Sequence, residues 1–295
     1  MPTPSPPSLA TADPQQRSGV DRLFFDVDDT LTWRGQLPEA AAIALYKAHA
    51  AGLALFAVTG RSFAWAEMLM RFFPLDAAIA ETGACALIRV DTRRGVSSTE
   101  SGSVRIDGRV DVVHTEPDGK VRRELARERE RICEVVLREH DEARLALDNP
   151  GRLYDSAFDL VESGPPVSTT GAREIRAILD REGLTTAQSS VHINAWKVGP
   201  HGPFNKATMV DRILQENFDT SLAEAAPTMC YVGDSENDGP LWAKLQANGG
   251  ITVGVGNVRP HLLALEAKKQ APQYIVDASG GRGFAQVVAS LVEDR

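Results

Sequence analysis

A chain of 295 residues is long enough for one large domain or two ordinary ones, and 43% apolar and 24% charged residues are the proportions of a soluble globular protein. The formal net charge of −8 argues against a nucleic-acid partner, whose footprint is a basic patch, so an anionic substrate has to be held locally by a metal or a few cations. Cys85, Cys133 and Cys230 are few and far apart, which suggests neither a disulfide framework nor a zinc site and fits a cytoplasmic location.

Residues 1–20 are rich in Pro, Ser, Thr and Gln, lack the apolar core of a signal peptide, and are expected to be a disordered tail. No run approaches membrane-spanning length, so no membrane partner is expected. Leu23, Phe24 and Phe25 form an apolar run without alternation, as in a strand buried on both faces of a parallel sheet. Asp26 and Asp28 follow where that run stops. The carboxyl end of such a strand opens into the crevice where ligands bind, and a side-chain period of two puts both carboxylates on one side. Two like charges so close call for a cation between them or a proton on one of them.

Leu37 to Ala51 reads as a helix with Pro38 in its first turn and Gly52 as its stop. Leu53 to Val58 is a second strand, ending in Thr59, Gly60 and Arg61, where a hydroxyl and a close-approaching backbone suit a phosphoryl oxygen. A helix over Phe63 to Phe73 and a strand over Ala77 to Ala80 continue the alternation, which argues for a parallel sheet with right-handed crossovers.

From residue 85 the pattern changes. Val104 to Ile106 and Val110 to Val113 suit hairpins, and Val121 to His140 is a highly charged helix with a thin apolar stripe. Tyr154 to Val161 carries Phe158 and Leu160 on one face and Asp155, Ala157 and Asp159 on the other. A helix over 171–182 follows, and then a strand with Val191, Ile193 and Ala195 opposite His192, Asn194 and Trp196. Lys206 opens a helix, where a cation runs against the helix dipole unless it meets an anion. Met229 to Val232 is a buried strand ending in Gly233-Asp234 and, four residues on, Asp238. Strands at Ile251 to Val255 and Tyr274 to Val276 complete the core.

Taken in order, Asp26-x-Asp28-x-Thr30, Thr59-Gly60-Arg61, Lys206 and Gly233-Asp234-x-x-Asn237-Asp238 resemble the four motifs of haloacid-dehalogenase-like phosphatases. The insertion between the second and third motifs looks like the large cap of the branch that includes Cof-type, sucrose-phosphate, trehalose-phosphate and mannosyl-phosphoglycerate phosphatases. Glu81-Thr82-Gly83-Ala84 is similar to that branch's Glu-Asn-Gly-Ala, with Thr for Asn. The resemblance implies an α/β fold: a doubly wound, Rossmann-like parallel-sheet core over 21–84 and 200–295, with an inserted α+β cap domain over 85–199.

It further implies a magnesium-dependent phosphatase acting on a small phosphate monoester. Asp26 would be the nucleophile and Asp28 the general acid/base. Thr59, with Gly60 and Arg61 beside it, would bind the transferring phosphoryl group, and Lys206 would neutralise its charge. Asp26, Asp28 (through its carbonyl), Asp234 and Asp238 would hold the metal. Asp155, Asp159, His192 and Asn194 are expected to face the core site from the cap and bind a hydroxyl-rich substrate such as a sugar phosphate. Hinges near Ala84 and Val198 to Gly202 would let the cap close. The expected state is a monomer or homodimer. A phosphomutase on the same scaffold and a phosphoaccepting signalling receiver are the competing readings, and the receiver has no place for so large an insertion.

Overall fold

The computed structural model describes residues 6–89, 104–106 and 110–293. After a short helix α1 (Pro14–Ser18), the apolar run forms β1 (Arg22–Phe25). Then α2 (Glu39–Ala50), β2 (Ala54–Val58), α3 (Phe63–Phe72) and β3 (Ala77–Ala80) follow in the expected alternation. Three strands come next: β4 (Cys85–Arg89), β5 (Val104–Ile106) and β6 (Val110–His114). The segment beyond them holds α4 (Gly119–Glu139), β7 (Asp155–Asp159), α5 (Thr169–Arg181), β8 (Thr185–Gln188) and β9 (His192–Trp196). The chain then resumes its alternation through α6 (Lys206–Phe218), α7 (Leu222–Ala225), β10 (Met229–Gly233), α8 (Gly239–Gln246) and β11 (Ile251–Gly254). It ends with α9 (Leu262–Ala267), β12 (Tyr274–Ile275) and α10 (Gly280–Val292).

The large sheet has the order β12-β11-β10-β1-β2-β3-β4-β6-β5. β1 lies parallel between β10 and β2, with Phe25 opposite both Val232 and Ala57, so the three strands end at nearly one level. Both faces of β1 are covered, which is why its sequence does not alternate. Phe25 meets Phe284 of α10 at 5.0 Å, while Phe24 stacks on Phe56 at 4.2 Å in the cluster built with α6 and α8. Each such buried ring contributes about 2 kcal/mol by removal of apolar surface from water.

The small sheet, β7-β9-β8, is antiparallel. Phe158, Ile193 and Ala195 share one face with Ile132, Val136, Ile175 and Leu179 of α4 and α5. The opposite face, with Asp155, Asp159, His192 and Asn194, turns toward the loops at the ends of β1 and β2. No helix among the described residues is long and apolar enough to cross a membrane.

Two expectations change. Residues 6–20 are not a loose tail: Leu9, Ala12 and Val20 are buried, and the Ile275 N–H donates to Pro7 O at 2.9 Å, so the segment covers the β12 edge of the sheet. Three apolar side chains and one sheet edge outweighed a polar composition. The second change concerns residues 85–114, expected to open the cap, whose described strands extend the core sheet instead. Cys85-Ala86-Leu87-Ile88 is fully apolar and pairs antiparallel with β3, and β6 pairs with β4. Ala84 is therefore a turn inside the core, and the crossings between the two sheets lie after His114 and after Trp196. The remainder of the 85–114 stretch, residues 90–103 and 107–109, lies outside the described residues.

Candidate active site

The backbone N–H of Asp26 donates to Val232 O at 2.9 Å, so Asp26 continues β1 by one residue and its carboxylate emerges at the level where β10 gives way to Gly233 and Asp234. Asn205 caps α6: its side chain accepts from the Thr208 N–H and the Thr208 hydroxyl accepts from the Asn205 N–H. That box fixes the first turn and sends the Lys206 ammonium inward. Its Nζ lies 2.7 Å from an oxygen of Asp26 and 2.7 Å from one of Asp238.

Asp238 is wholly buried. Its second oxygen accepts the N–H groups of Asp234 and Ser235 at 2.9 and 3.2 Å, and the Tyr231 hydroxyl donates to the first. Gly233 is required there, because a Cβ would stand 2.4 Å from an Asp238 oxygen. Asp234 accepts from the Thr30 hydroxyl and from Asn257 Nδ2, each at 3.0 Å.

The electrostatics of this cluster are uneven. Burial pushes the Asp26 carboxyl up to about 7 even though Lys206 opposes the shift, and Asp238 and Asp28 add to it. Burial first, and then Asp238 and Asp26, hold Asp234 well above the carboxylate range. Burial disfavours the Lys206 ammonium, but Asp238 and Asp26 outweigh it and keep its pKa above the ordinary value. Three buried carboxylates thus face one ammonium. Their ligand oxygens all lie within 4.8 Å of one another, a hard-oxygen set with excess negative charge that fits a divalent cation of the magnesium kind.

Asp28 stands apart from that set. Arg61 Nε donates to both its oxygens at 2.9 and 2.8 Å, and Nη2 to one of them at 2.6 Å. The remaining donors of the same guanidinium reach Glu162 at 2.9 and 2.6 Å, and its carbon lies 4.8 Å from the Trp65 ring centre. Glu162 also meets His192 Nε2 at 3.0 Å. The His192 hydrogen bond and Arg61 lower the Glu162 carboxyl to about 2 against the opposing effect of burial. Arg61 therefore joins the first acidic motif to the segment that follows β7.

The Thr59 hydroxyl accepts the Arg61 N–H at 3.0 Å. The Gly60 carbonyl accepts from Asn194 Nδ2 and Arg152 Nη1, both at 2.9 Å. Asp155 takes one bond from Arg152 at 2.8 Å and one from Asn194 at 2.6 Å. Asn194 thus reaches the core loop directly, while Asp155 stands behind it on Arg152 and Asn194, and His192 is linked to Arg61 only through Glu162. Asp159 is occupied differently: it accepts from the N–H groups of Val161, Glu162 and Ser163, from the Ser163 hydroxyl and from Arg144, which together hold it well below the usual carboxylate range despite its burial. It shapes the turn that presents Glu162.

Several groups at the site escape a reading of the sequence. Tyr231 lies within a uniformly apolar strand, Asn257 in a glycine-rich turn, and Glu162 in a loop without periodicity. Arg152 is buried between Asp148, Asp155 and the Gly60 carbonyl. Glu81 was signalled by the Glu-Thr-Gly-Ala pattern, and Arg152 only as a candidate partner for a substrate carboxylate, a role different from its contacts here.

Residues 23–98 match the family model of the haloacid dehalogenase-like hydrolases. No curated protein matches the sequence. Among solved structures, the C-terminal domain of a C. albicans trehalose-6-phosphate phosphatase is similar at 14% identity and a TM-score of 0.67, covering 98% of both chains. The sucrose-phosphatase of Synechocystis sp. PCC6803 is similar at 15% identity and a TM-score of 0.55, covering 92% of this chain and 97% of its own. The Thermoplasma acidophilum protein 0175 gives 16% identity and a TM-score of 0.62 over 94% of this chain and 99% of its own. The family match thus covers the segment that carries the first two motifs, and the fold is shared with these solved structures over nearly the whole chain.

Proposed function

We propose that the protein is a magnesium-dependent phosphatase that hydrolyses a small phosphate monoester, of the sugar-phosphate class, through an aspartyl-phosphate on Asp26. The observation that carries this is the convergence of Asp26, Lys206, Asp234 and Asp238 at the ends of β1 and β10. Similarity in fold to a sucrose-phosphatase and a trehalose-6-phosphate phosphatase supports the substrate class.

In this mechanism an Asp26 oxygen attacks phosphorus and the ester P–O bond breaks, while Asp28 delivers its proton to the departing oxygen. Water then attacks the aspartyl-phosphate and gives a proton to Asp28, releasing inorganic phosphate and restoring Asp26. Thr59 donates its hydroxyl to a phosphoryl oxygen and Lys206 offsets the developing charge. Asp26, Asp234, Asp238 and the Asp28 carbonyl would hold magnesium, which supplies charge neutralisation when bound. Before Asp28 carries its proton it has to leave Arg61, and the phosphoryl group supplies a competing anion for that guanidinium.

Inorganic phosphate released from a panel of phosphate esters, with and without magnesium, for the wild type and for Asp26→Asn, tests the proposal. Metal-dependent release lost in the variant is the expected result. A stable phosphoprotein with no release from any ester, or transfer of phosphate within the carbon skeleton, overturns it.

A further inference from the structure

The turn after β3 is built around a carboxylate that none of the steps above uses. Glu81 is completely buried, and its two oxygens accept four backbone N–H groups. One oxygen takes Phe63 at 3.1 Å and Leu153 at 2.8 Å, and the other takes Tyr154 at 2.6 Å and Asp155 at 3.0 Å. Phe63 closes the loop that carries Thr59 and Arg61. Leu153 to Asp155 lead into β7 of the small sheet. A single carboxylate therefore holds the end of the loop after β2 and the entry of the cap strand against each other.

The backbone of the same turn is tied in as well. The Glu81 N–H donates to Arg61 O at 2.9 Å and the Thr82 N–H to Thr59 O at 3.1 Å. Both residues sit at positive φ, +49° and +60°, which is unfavourable for a β-branched threonine and persists only where surrounding bonds impose it. Gly83 follows at φ +104°, where a Cβ would stand 2.3 Å from Asn205 O and 3.0 Å from Lys206 N. The turn thus touches the Thr59 loop, the cap strand and the backbone of the helix that delivers Lys206.

We infer that Glu81 is a positioning residue that couples docking of the small sheet to the placement of the loop carrying Thr59 and Arg61. The other fastenings point the same way, since that loop is held from the cap side at the Gly60 carbonyl by Arg152 and Asn194 and at the Ser62 N–H by Asp148. With the small sheet displaced, the loop loses the supports that define it, and the group that binds the phosphoryl oxygens is no longer preorganised. The catalytic consequence rests on the phosphatase proposal, whereas the coupling of the two segments does not.

Glu81→Gln is the test, because an amide NH₂ cannot accept two of the four N–H groups, while size and burial are kept. Amide hydrogen exchange followed by mass spectrometry is expected to rise together at 59–63 and 152–156, with α2 unchanged. With the best ester, kcat is expected to fall about 10- to 100-fold while KM stays within a factor of three, a split that a general loss of folded protein does not produce. Should Glu81→Gln fail to fold, Glu81→Asp keeps the charge but is one methylene too short to span both segments, and the same joint rise is expected. Exchange that rises in one segment only, or an unchanged kcat in a folded variant, overturns the inference. If the wild type hydrolyses no ester, the phosphatase proposal fails and the exchange result alone decides the coupling.

Discussion

Arg61 grips Asp28 through three hydrogen bonds of 2.6 to 2.9 Å, although the two residues sit on different strands' ends and 33 positions apart. The Asp28 carboxylate is thus held by a guanidinium that also reaches across to Glu162. A planar fork can bridge two carboxylates; a lysine ammonium on a flexible stem cannot do so in the same geometry. Arg61→Lys is therefore expected to retain the positive charge and lose the bridge, lowering kcat by about 100-fold, the lower end of the contribution of general acid–base catalysis. Steady-state kinetics on the best ester check it, and unchanged kcat would mean that the bridge does not organise Asp28.

The Lys206 ammonium lies between Asp26 and Asp238 with about 3% of its side chain exposed. Removing one partner of a buried ionic group leaves uncompensated charge, so Lys206→Met is expected to destabilise the metal-free protein by about 3–5 kcal/mol. Magnesium, which favours the same carboxylates, is expected to raise the melting temperature of the variant more than that of the wild type. Thermal melts with EDTA and with excess magnesium measure both.

Glu162 has its folded-state pKa lowered to about 2 from an ordinary 4.5 by His192 and Arg61. A depressed carboxylate contributes stability that is present above about pH 4.5 and is lost as pH falls toward 2, because the unfolded chain takes up the proton first. Glu162→Gln is thus expected to be less stable than the wild type at pH 7, by about 1 kcal/mol once solvent screening of a partly exposed side chain is allowed for. The gap should narrow at pH 3.5. Urea midpoints at the two pH values read it, and a gap that stays constant would show that Glu162 contributes no pH-linked stability.

Leu9 is 1% exposed within the core cluster that also contains Phe284 and Leu291 of α10. Leu9→Ala is expected to cost about 2–3 kcal/mol through lost burial and a residual cavity. An unchanged urea midpoint would return residues 6–20 to the status of a tail.

The alternation of strands and helices was legible because its cause is local. Apolar runs such as Leu23-Phe24-Phe25 and Met229 to Val232 can be buried on both faces only in a covered parallel sheet, and turn residues mark where each run stops. The positions of Asp26, Thr59 and Asp234 at strand ends follow from the same pattern, as do the two faces of β7 and β9. Lys206 was legible as an anomaly, a cation at a helix start, and the three-dimensional arrangement resolves it by supplying two carboxylates.

What only the tertiary structure decided is which groups partner which. Whether Asp159 faces a ligand or caps its own turn depends on the fold of residues 160–163, and no periodicity encodes that. Whether Cys85 to Arg89 begins an insertion or extends the core depends on which edge is free to pair, a long-range choice that the apolar run leaves open. Glu81, Glu162 and Arg152 draw their roles from partners 72 to 101 residues away. A sequence read residue by residue carries the propensity of each group to be charged or buried, but the partner that makes the burial tolerable is set by packing.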